Sequence, residues 1–254
     1  NPKIIYVGTG AAIIRPDLST GDGVYKSTDA GQTWTRMGLV DSQMIAMIDV
    51  DPRDPNRLFV AALGHPYGPN AERGVFRSTD GGKSFQKVLY KDEYTSANDV
   101  RIDPADPNTV YAALWVQQQS YIEGGAFGST GGGIYKSTDG GTTWKKLSDG
   151  LPDVMQANLA VSASDSKVLY ATIAGQAPAP APSAASPEAG AGQGGRAGAA
   201  GGRGGGRGGG GGGSIGLYKS VDGGDHWFLA VRGPKGTGTR TPDNRPLGRI
   251  GGGD

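Results

Sequence analysis

Carboxylates dominate the reactive chemistry of this sequence. Asp17 and Asp22 lie in "TGAAIIRPDLSTGD", and Glu72 lies in "GHPYGPNAER". Two carboxyl groups facing each other across a glycosidic bond, about 5 to 9.5 Å apart, can hydrolyse it. These three are the catalytic candidates, although sequence alone does not pair them. Groups suited to holding a ligand lie in the same and neighbouring segments: Arg15, His65, Tyr67, Asn70, Arg73, Asp92, Tyr94, Trp115, Tyr121 and Glu123. Trp115 and Tyr121 could stack on a sugar, or pack their loop onto its neighbour.

Other chemistry is excluded or explained away. The chain has no cysteine, which removes disulfides, thiolate zinc sites and thiol catalysis. His65 and His226 are the two histidines and sit in unrelated phrases, so no histidine-based metal site or triad is built, and no metal or cofactor is expected. Asp49, Asp51 and Asp54 have the look of a calcium loop. Pro52 and Pro55, and the recurrence of the phrase at Asp103 and Asp106, mark a turn instead. Gly190-x-Gly192-x-x-Gly195 fits a dinucleotide fingerprint by chance, with no strand before it. Arg196, Arg203 and Arg207 stand among glycines without an aromatic residue, as in a flexible loop rather than an RNA-binding segment.

The elements that position these residues come from a repeat. "GVYKSTDAGQTW" at Gly23 returns as "GVFRSTDGGKSF" at Gly74, "GIYKSTDGGTTW" at Gly133 and "GLYKSVDGGDHW" at Gly216. It alternates with a turn leading into an apolar run: "NPKIIYVGTG", "DPRDPNRLFVAAL", "DPADPNTVYAAL" and the weaker "SASDSKVLYATI". The second unit reads as four strands, near Met44 to Val50, Arg57 to Leu63, Gly74 to Ser78 and Ser84 to Tyr90. Its unbroken Leu58-Phe59-Val60-Ala61-Ala62 suits a strand covered on both faces. A period of about 40 to 50 residues with four strands is that of a β-propeller blade. The fold class is therefore all-β, a propeller of four-stranded antiparallel blades. About four blades are present, the first lacking its first strand, as in a fragment of a larger propeller.

The repeated phrase reads as a hairpin staple rather than four copies of a site. Asp29, Asp80, Asp139 and Asp222 can accept from turn N–H groups. Gly31, Gly82, Gly141 and Gly224 allow positive φ. Ser27, Ser78, Ser137 and Ser220 complete the polar turn, and Trp34, Phe85, Trp144 and Trp227 supply an aromatic wedge. Strand parity puts these turns at one end of the blades. The variable loops, with the candidate residues, fall at the other, where sites on rigid scaffolds usually lie.

Ser-x-Asp-x-Gly-x-Thr-Trp is the Asp-box of BNR repeats, found in sialidases, sortilin-type propellers and double-propeller xyloglucanases. "YVGTG", "GDGVYKSTDAGQTWTRMGL", "AALGHPYGPNAERGVFRSTDGGKSF" and "GLPD" resemble the bacterial sortilin-like BNR/YVTN-repeat proteins often labelled glycosyl hydrolase. Ala30, Phe85, Val221 and His226 depart from the motif without disturbing the fold. The resemblance implies a secreted or periplasmic bacterial protein. It also implies either a non-catalytic scaffold for peptide, protein or carbohydrate ligands, or a xyloglucanase-like hydrolase with an aspartate on each of two propellers. The Phe/Tyr-Arg-Ile-Pro phrase of sialidases is absent, since Arg15 directly precedes Pro16.

Composition adds bounds. Residues 1–173 read as three blades and the start of a fourth, and 174–214 as a low-complexity Gly/Ala/Pro/Arg insertion. Residues 215–254 read as the end of blade four and the start of another. The formal net charge of +1 gives no electrostatic case for nucleic acid. No stretch approaches the ~20 apolar residues of a membrane span. The expected partners are a ligand on the loop face and further blades of the same chain.

Overall fold

The computed structural model describes residues 1–11, 19–118, 126–127, 131–176 and 214–232. Each repeat folds into one antiparallel sheet. Blade one is β1 (Ile5–Gly8), β2 (Val24–Ser27) and β3 (Thr35–Gly38), three strands where blades two and four have four and blade three has four plus a short fifth. Blade two is β4 (Ile45–Val50), β5 (Leu58–Ala62), β6 (Gly74–Ser78) and β7 (Gln86–Leu89). Blade three runs β8 (Thr95–Ile102), β9 (Val110–Gln118), β11 (Gly133–Ser137) and β12 (Lys145–Leu147), with the short β10 (Ala126–Phe127) paired to the far end of β9. Blade four is β13 (Asp153–Val161), β14 (Leu169–Gln176), β15 (Ser214–Ser220) and β16 (Phe228–Arg232). The one helical element among the described residues is a 3-10 turn, Val40–Ser42, between blades one and two. β14 reaches Gln176 and β15 begins at Ser214, so both ends of the expected insertion belong to blade four. The rest of that insertion lies outside the described residues, as does 233–254.

The core lies between blades. Val24 and Leu39 of blade one pack on Ile45, Leu58, Val60 and Phe76 of blade two. Phe59, Ala61 and Val75 then meet Val100, Val110 and Ala112 of blade three. Tyr111, Ala113 and Ile134 in turn meet Leu159, Leu169, Ile173 and Trp227 of blade four. This explains the unbroken apolar run of β5, which is buried along its whole length, with successive side chains committed to opposite neighbours. Each such side chain, fully buried, contributes about 1.5–3 kcal/mol, and no blade could bury it alone.

The Asp-box has the same geometry in all four copies. In blade two, Ser78 Oγ donates to Asp80 Oδ1 (2.8 Å) and accepts from Gly82 N (2.8 Å). Asp80 also accepts from Ser84 N (3.0 Å) and Ser84 Oγ (2.6 Å). Gly81 and Gly82 sit at φ 74° and 90°, where a Cβ is disfavoured. The indole N–H of Trp34, Trp144 and Trp227 donates to the carbonyl of the second glycine position, at 3.0, 3.1 and 2.8 Å. Backbone bonds from Gly81 to Asn56, Gly140 to Asn108 and Gly223 to Lys167 join each Asp-box to the first turn of its blade. Those turns are therefore at one end, and the variable loops at the other.

Candidate ligand-binding face

The loop end of blades two and three is organised around Arg73, the residue before β6. Its side chain is fully buried. Nη1 donates to Ser96 Oγ (2.7 Å), Gln117 O (2.9 Å) and Tyr94 O (3.3 Å), and Nη2 to His65 O (2.8 Å) and Gly68 O (3.0 Å). Burial pushes the guanidinium pKa down to about 10. One side chain thus ties the loop after β5 to the first two strands of the next blade. Gly64 lies against it, at φ 78°, and a Cβ there would stand 2.4 Å from Arg73 Cγ. Arg73 was expected to meet a ligand. That expectation is corrected, because the side chain is buried and both terminal nitrogens are bonded inside the fold, while the enclosed Nε has no partner.

On this base sits a polar chain. Asp41, in the 3-10 turn, bonds His65 Nε2 through Oδ1 (2.9 Å) and accepts from Asn70 Nδ2 through Oδ2 (2.9 Å). Asn70 is itself buried and stitched to the connection into blade three by Asn70 N to Glu93 O (3.0 Å). His65 and Asn70 were both candidates. Asp41 was not, because it comes from the connection between blades one and two, outside the loops singled out.

The remaining candidates fall into three groups. Asp22 accepts from Tyr25 OH (2.7 Å) and Arg36 Nη1 (3.3 Å). The tyrosine bond, followed by the arginine, holds its pKa below the ordinary carboxylate value. Asp92 caps its own turn, accepting from Tyr94 N (2.9 Å) and Thr95 Oγ1 (2.7 Å). Tyr94 is exposed, as is nearby Tyr90, whose ring lies 4.2 Å from Lys87 Nζ. Tyr67 is half-buried. Glu72 is half-buried with Oε2 enclosed and without a hydrogen-bond partner. Trp115 is 3% exposed, packed with Met44 and Leu63. Of the two roles open to it, the structure shows packing, and its place among the ligand-binding candidates is corrected, since the ring is inside. Arg15, Asp17, Tyr121 and Glu123 lie outside the described residues.

A second cluster lies on the first strands, β4, β8 and β13. Asp49 Oδ2 accepts from Ile102 N (2.8 Å), and Asp99 Oδ2 from Leu159 N (2.7 Å), each reaching into the following blade. Arg101 Nε stands 3.0 Å from Asp99 Oδ1. Burial pushes both carboxyls above their ordinary range. Asp49, Arg101 and Leu159 line a groove of ≈ 310 Å³. The turn assigned to Asp49, Asp51 and Asp54 holds for two of the three. Asp51 accepts from Arg53 N (2.8 Å) and Arg57 Nε (2.7 Å), and Asp54 from Asn56 N (3.0 Å). Asp49 instead belongs to β4 and joins two blades. The strand read near Met44 to Val50 already contained Asp49 and was the available signal. No group of three or more His, Cys, Asp or Glu among the described residues could hold a metal ion.

Comparison with known proteins adds three findings. The Sortilin-Vps10 family model, described as sortilin, neurotensin receptor 3, matches residues 22–178. The xyloglucanase Xgh74A of Acetivibrio thermocellus is 26% identical over 162 residues, covering 58% of this chain and 17% of that protein. A xyloglucanase of Hypocrea jecorina is 28% identical over 190 residues, 66% of this chain and 21% of its own. Among solved structures, the Niastella koreensis GH74 enzyme superposes with a TM-score of 0.57 at 16% identity, covering 91% of this chain and 28% of that one. The GH74 xyloglucanase of Xanthomonas campestris gives 0.54 at 17% identity, over 89% and 28%. At such identities the structural likeness speaks for fold alone. The chain spans about a fifth of the length of these curated relatives.

Proposed function

This chain belongs to the Sortilin-Vps10 family, and from that premise we propose that it supplies part of a non-catalytic, ligand-binding propeller. Its loop end, around Asp41, His65 and Asn70, takes a polar oligosaccharide or peptide. The observation that carries the reading is the engagement of three described loop-end aspartates. Asp22 is held by Tyr25 and Arg36, Asp92 caps its own turn, and Asp41 is shared by His65 and Asn70. A glycosidase acid needs a carboxyl kept protonated near neutral pH, whereas Asp22 is pushed the other way. Apart from Glu72 and Glu93, what remains among the described residues of that end is hydrogen-bonding surface on a rigid base, suited to recognition. Export to the cell exterior accords with this reading, and no helix among the described residues is long and apolar enough to cross a membrane.

The test is calorimetric titration of the full-length protein with β-glucan oligosaccharides and a peptide panel, beside a reducing-sugar assay on xyloglucan. Binding without turnover, weakened about tenfold by His65→Ala, is expected. Binding indifferent to His65→Ala and Asn70→Ala would remove the proposed site.

A second reading, hydrolysis of a polysaccharide, is favoured by the similarity to proteins named as xyloglucanases and by Glu72, whose enclosed Oε2 has no partner. Fold likeness does not license an activity. This reading needs a second carboxylate across a cleft from Glu72. Xyloglucan turnover by the full-length protein, cut at least 100-fold by Glu72→Gln, would put it ahead.

A further inference from the structure

One peptide unit in each of the last three Asp-boxes faces two ways. Its N–H turns into its own hairpin: Gly82 N donates to Ser78 Oγ (2.8 Å), Gly141 N to Ser137 Oγ (2.9 Å) and Gly224 N to Ser220 Oγ (2.9 Å). Its C=O turns to the blade before. Gly81 O accepts from Tyr6 OH (3.0 Å) and Lys26 Nζ (2.8 Å), Gly140 O from Arg77 Nη1 (2.7 Å), and Gly223 O from Tyr111 OH (2.9 Å). These carbonyls belong to the first glycine of each box, at φ 74°, 68° and 76°, where a side chain would be strained.

The donors come from one register position. Tyr6 pairs with Lys26 across β1 and β2, Phe59 with Arg77 across β5 and β6, and Tyr111 with Lys136 across β9 and β11. The ring takes the same seat at all three junctions. A Cβ on the second glycine of the receiving box would stand 3.3, 2.7 and 3.4 Å from Cε1 of Tyr6, Phe59 and Tyr111. Phe59 carries no hydroxyl, and there the guanidinium of Arg77 reaches the carbonyl in its place. Two chemistries thus converge on one acceptor.

We propose that the serine and aspartate of these Asp-boxes are positioning residues for the blade junction, holding the Gly-Gly peptide so that its carbonyl receives the preceding blade. A staple confined to its own hairpin would need only the N–H side of that peptide. A peptide unit is planar and rigid, so fixing the Gly82 N–H on Ser78 Oγ also aims the Gly81 carbonyl. Ser78 in turn donates to Asp80 Oδ1 (2.8 Å). Asp80, Ser78, the Gly81–Gly82 peptide and Tyr6 therefore form one hydrogen-bonded line from blade two into blade one, in which each bond polarises the next. This line links the two alternating phrases of the sequence: the aromatic of one unit's apolar run is seated on the following unit's box.

A double-mutant cycle by urea unfolding of the 254-residue chain tests this, with circular dichroism to show that every variant is folded. Tyr6→Phe and Ser78→Ala should each raise the unfolding constant. In the Ser78→Ala background, the fold-increase caused by Tyr6→Phe should be at least about threefold smaller. Ser137→Ala makes the same change in a box that Tyr6 does not reach, and should add to Tyr6→Phe within about twofold. If Ser78→Ala fails to fold, Asp80→Asn takes its place with the same expectation. The carbonyl itself is tested at the second junction, where Phe59→Tyr supplies the missing hydroxyl. It should restore at least half of the urea-midpoint shift caused by Arg77→Met. Additivity of Tyr6→Phe with the blade-two box variant, equal coupling to Ser137→Ala, or no recovery by Phe59→Tyr would each overturn the proposal.

Discussion

Replacing Arg73 by methionine tests the base on which the loop end rests. Methionine keeps the length and apolar stem and removes five donated hydrogen bonds. Bonds to a charged group contribute about 1.5–3 kcal/mol each, or roughly 7–15 kcal/mol for five. Burying the guanidinium costs several kcal/mol in return, a cost visible in its lowered pKa. The variant also leaves the carbonyls of His65, Gly68, Tyr94 and Gln117 without this donor. The net loss should be about 3–5 kcal/mol, a large share of the ~5–15 kcal/mol of a typical domain. With a urea slope of about 2 kcal/mol/M, the unfolding midpoint falls by about 1.5–2.5 M. Arg73→Lys, a point charge without the planar fork, should recover less than half. A midpoint shift under about 0.5 M for Arg73→Met, or wild-type stability for Arg73→Lys, would refute the claim that this fork holds two blades together.

Two further predictions concern pH. Burial raises Asp99 above its unfolded value, so its contribution is fully present below about pH 3.9 and is lost as pH rises through the folded pKa. The stability of the wild type relative to Asp99→Asn should therefore grow as pH falls from 7 toward 4 in urea titrations, and the opposite trend would sink the assignment. His226 takes the place of Thr33, Ser84 and Thr143 in the fourth Asp-box, with Nδ1 2.5 Å from Asp222 Oδ2. The hydrogen bond and charge of Asp222 raise its pKa. Its stabilising contribution is present below about pH 6.5 and fades as pH rises through the folded value. His226→Thr should flatten the thermal-stability profile between pH 6 and 8, and an unchanged slope would count against this pairing.

What the sequence made legible follows from what repeats. Four copies of the Ser-x-Asp-x-Gly phrase announce four turns of one geometry, because each turn needs the same positive φ and the same carboxylate. The apolar run at Leu58–Ala62 announces burial on both faces. Asp49 was harder to place, since the same residue type serves both turns and strands. Asp51 and Asp54 bond to N–H groups two residues away, a distance sequence can see. Asp49 bonds to Ile102, 53 residues away, across a junction that exists only once the blades have stacked.

The same reasoning explains why the candidate residues sort as they do. Arginine and tryptophan near a variable loop suggest a ligand, yet Arg73 directly precedes β6 and Trp115 lies within β9, near where a loop must be fastened to its scaffold. A guanidinium can satisfy several carbonyls at once, and a loop end offers many carbonyls that no strand pairs. Those acceptors belong to residues from His65 to Gln117, scattered in sequence, so their convergence on Arg73 is invisible before folding. His65 differs because its backbone carbonyl is fastened by Arg73 while its ring reaches outward to Asp41. Recognition chemistry at this end is thus carried by side chains whose backbones are held from behind. Weakening the fastening and removing the ring should accordingly have separable effects. Arg73→Lys should lower stability and ligand affinity together, whereas His65→Ala should lower affinity at unchanged urea midpoint. If His65→Ala unfolded the protein as readily as Arg73→Lys, the histidine would be part of the fastening rather than a recognition group held from behind.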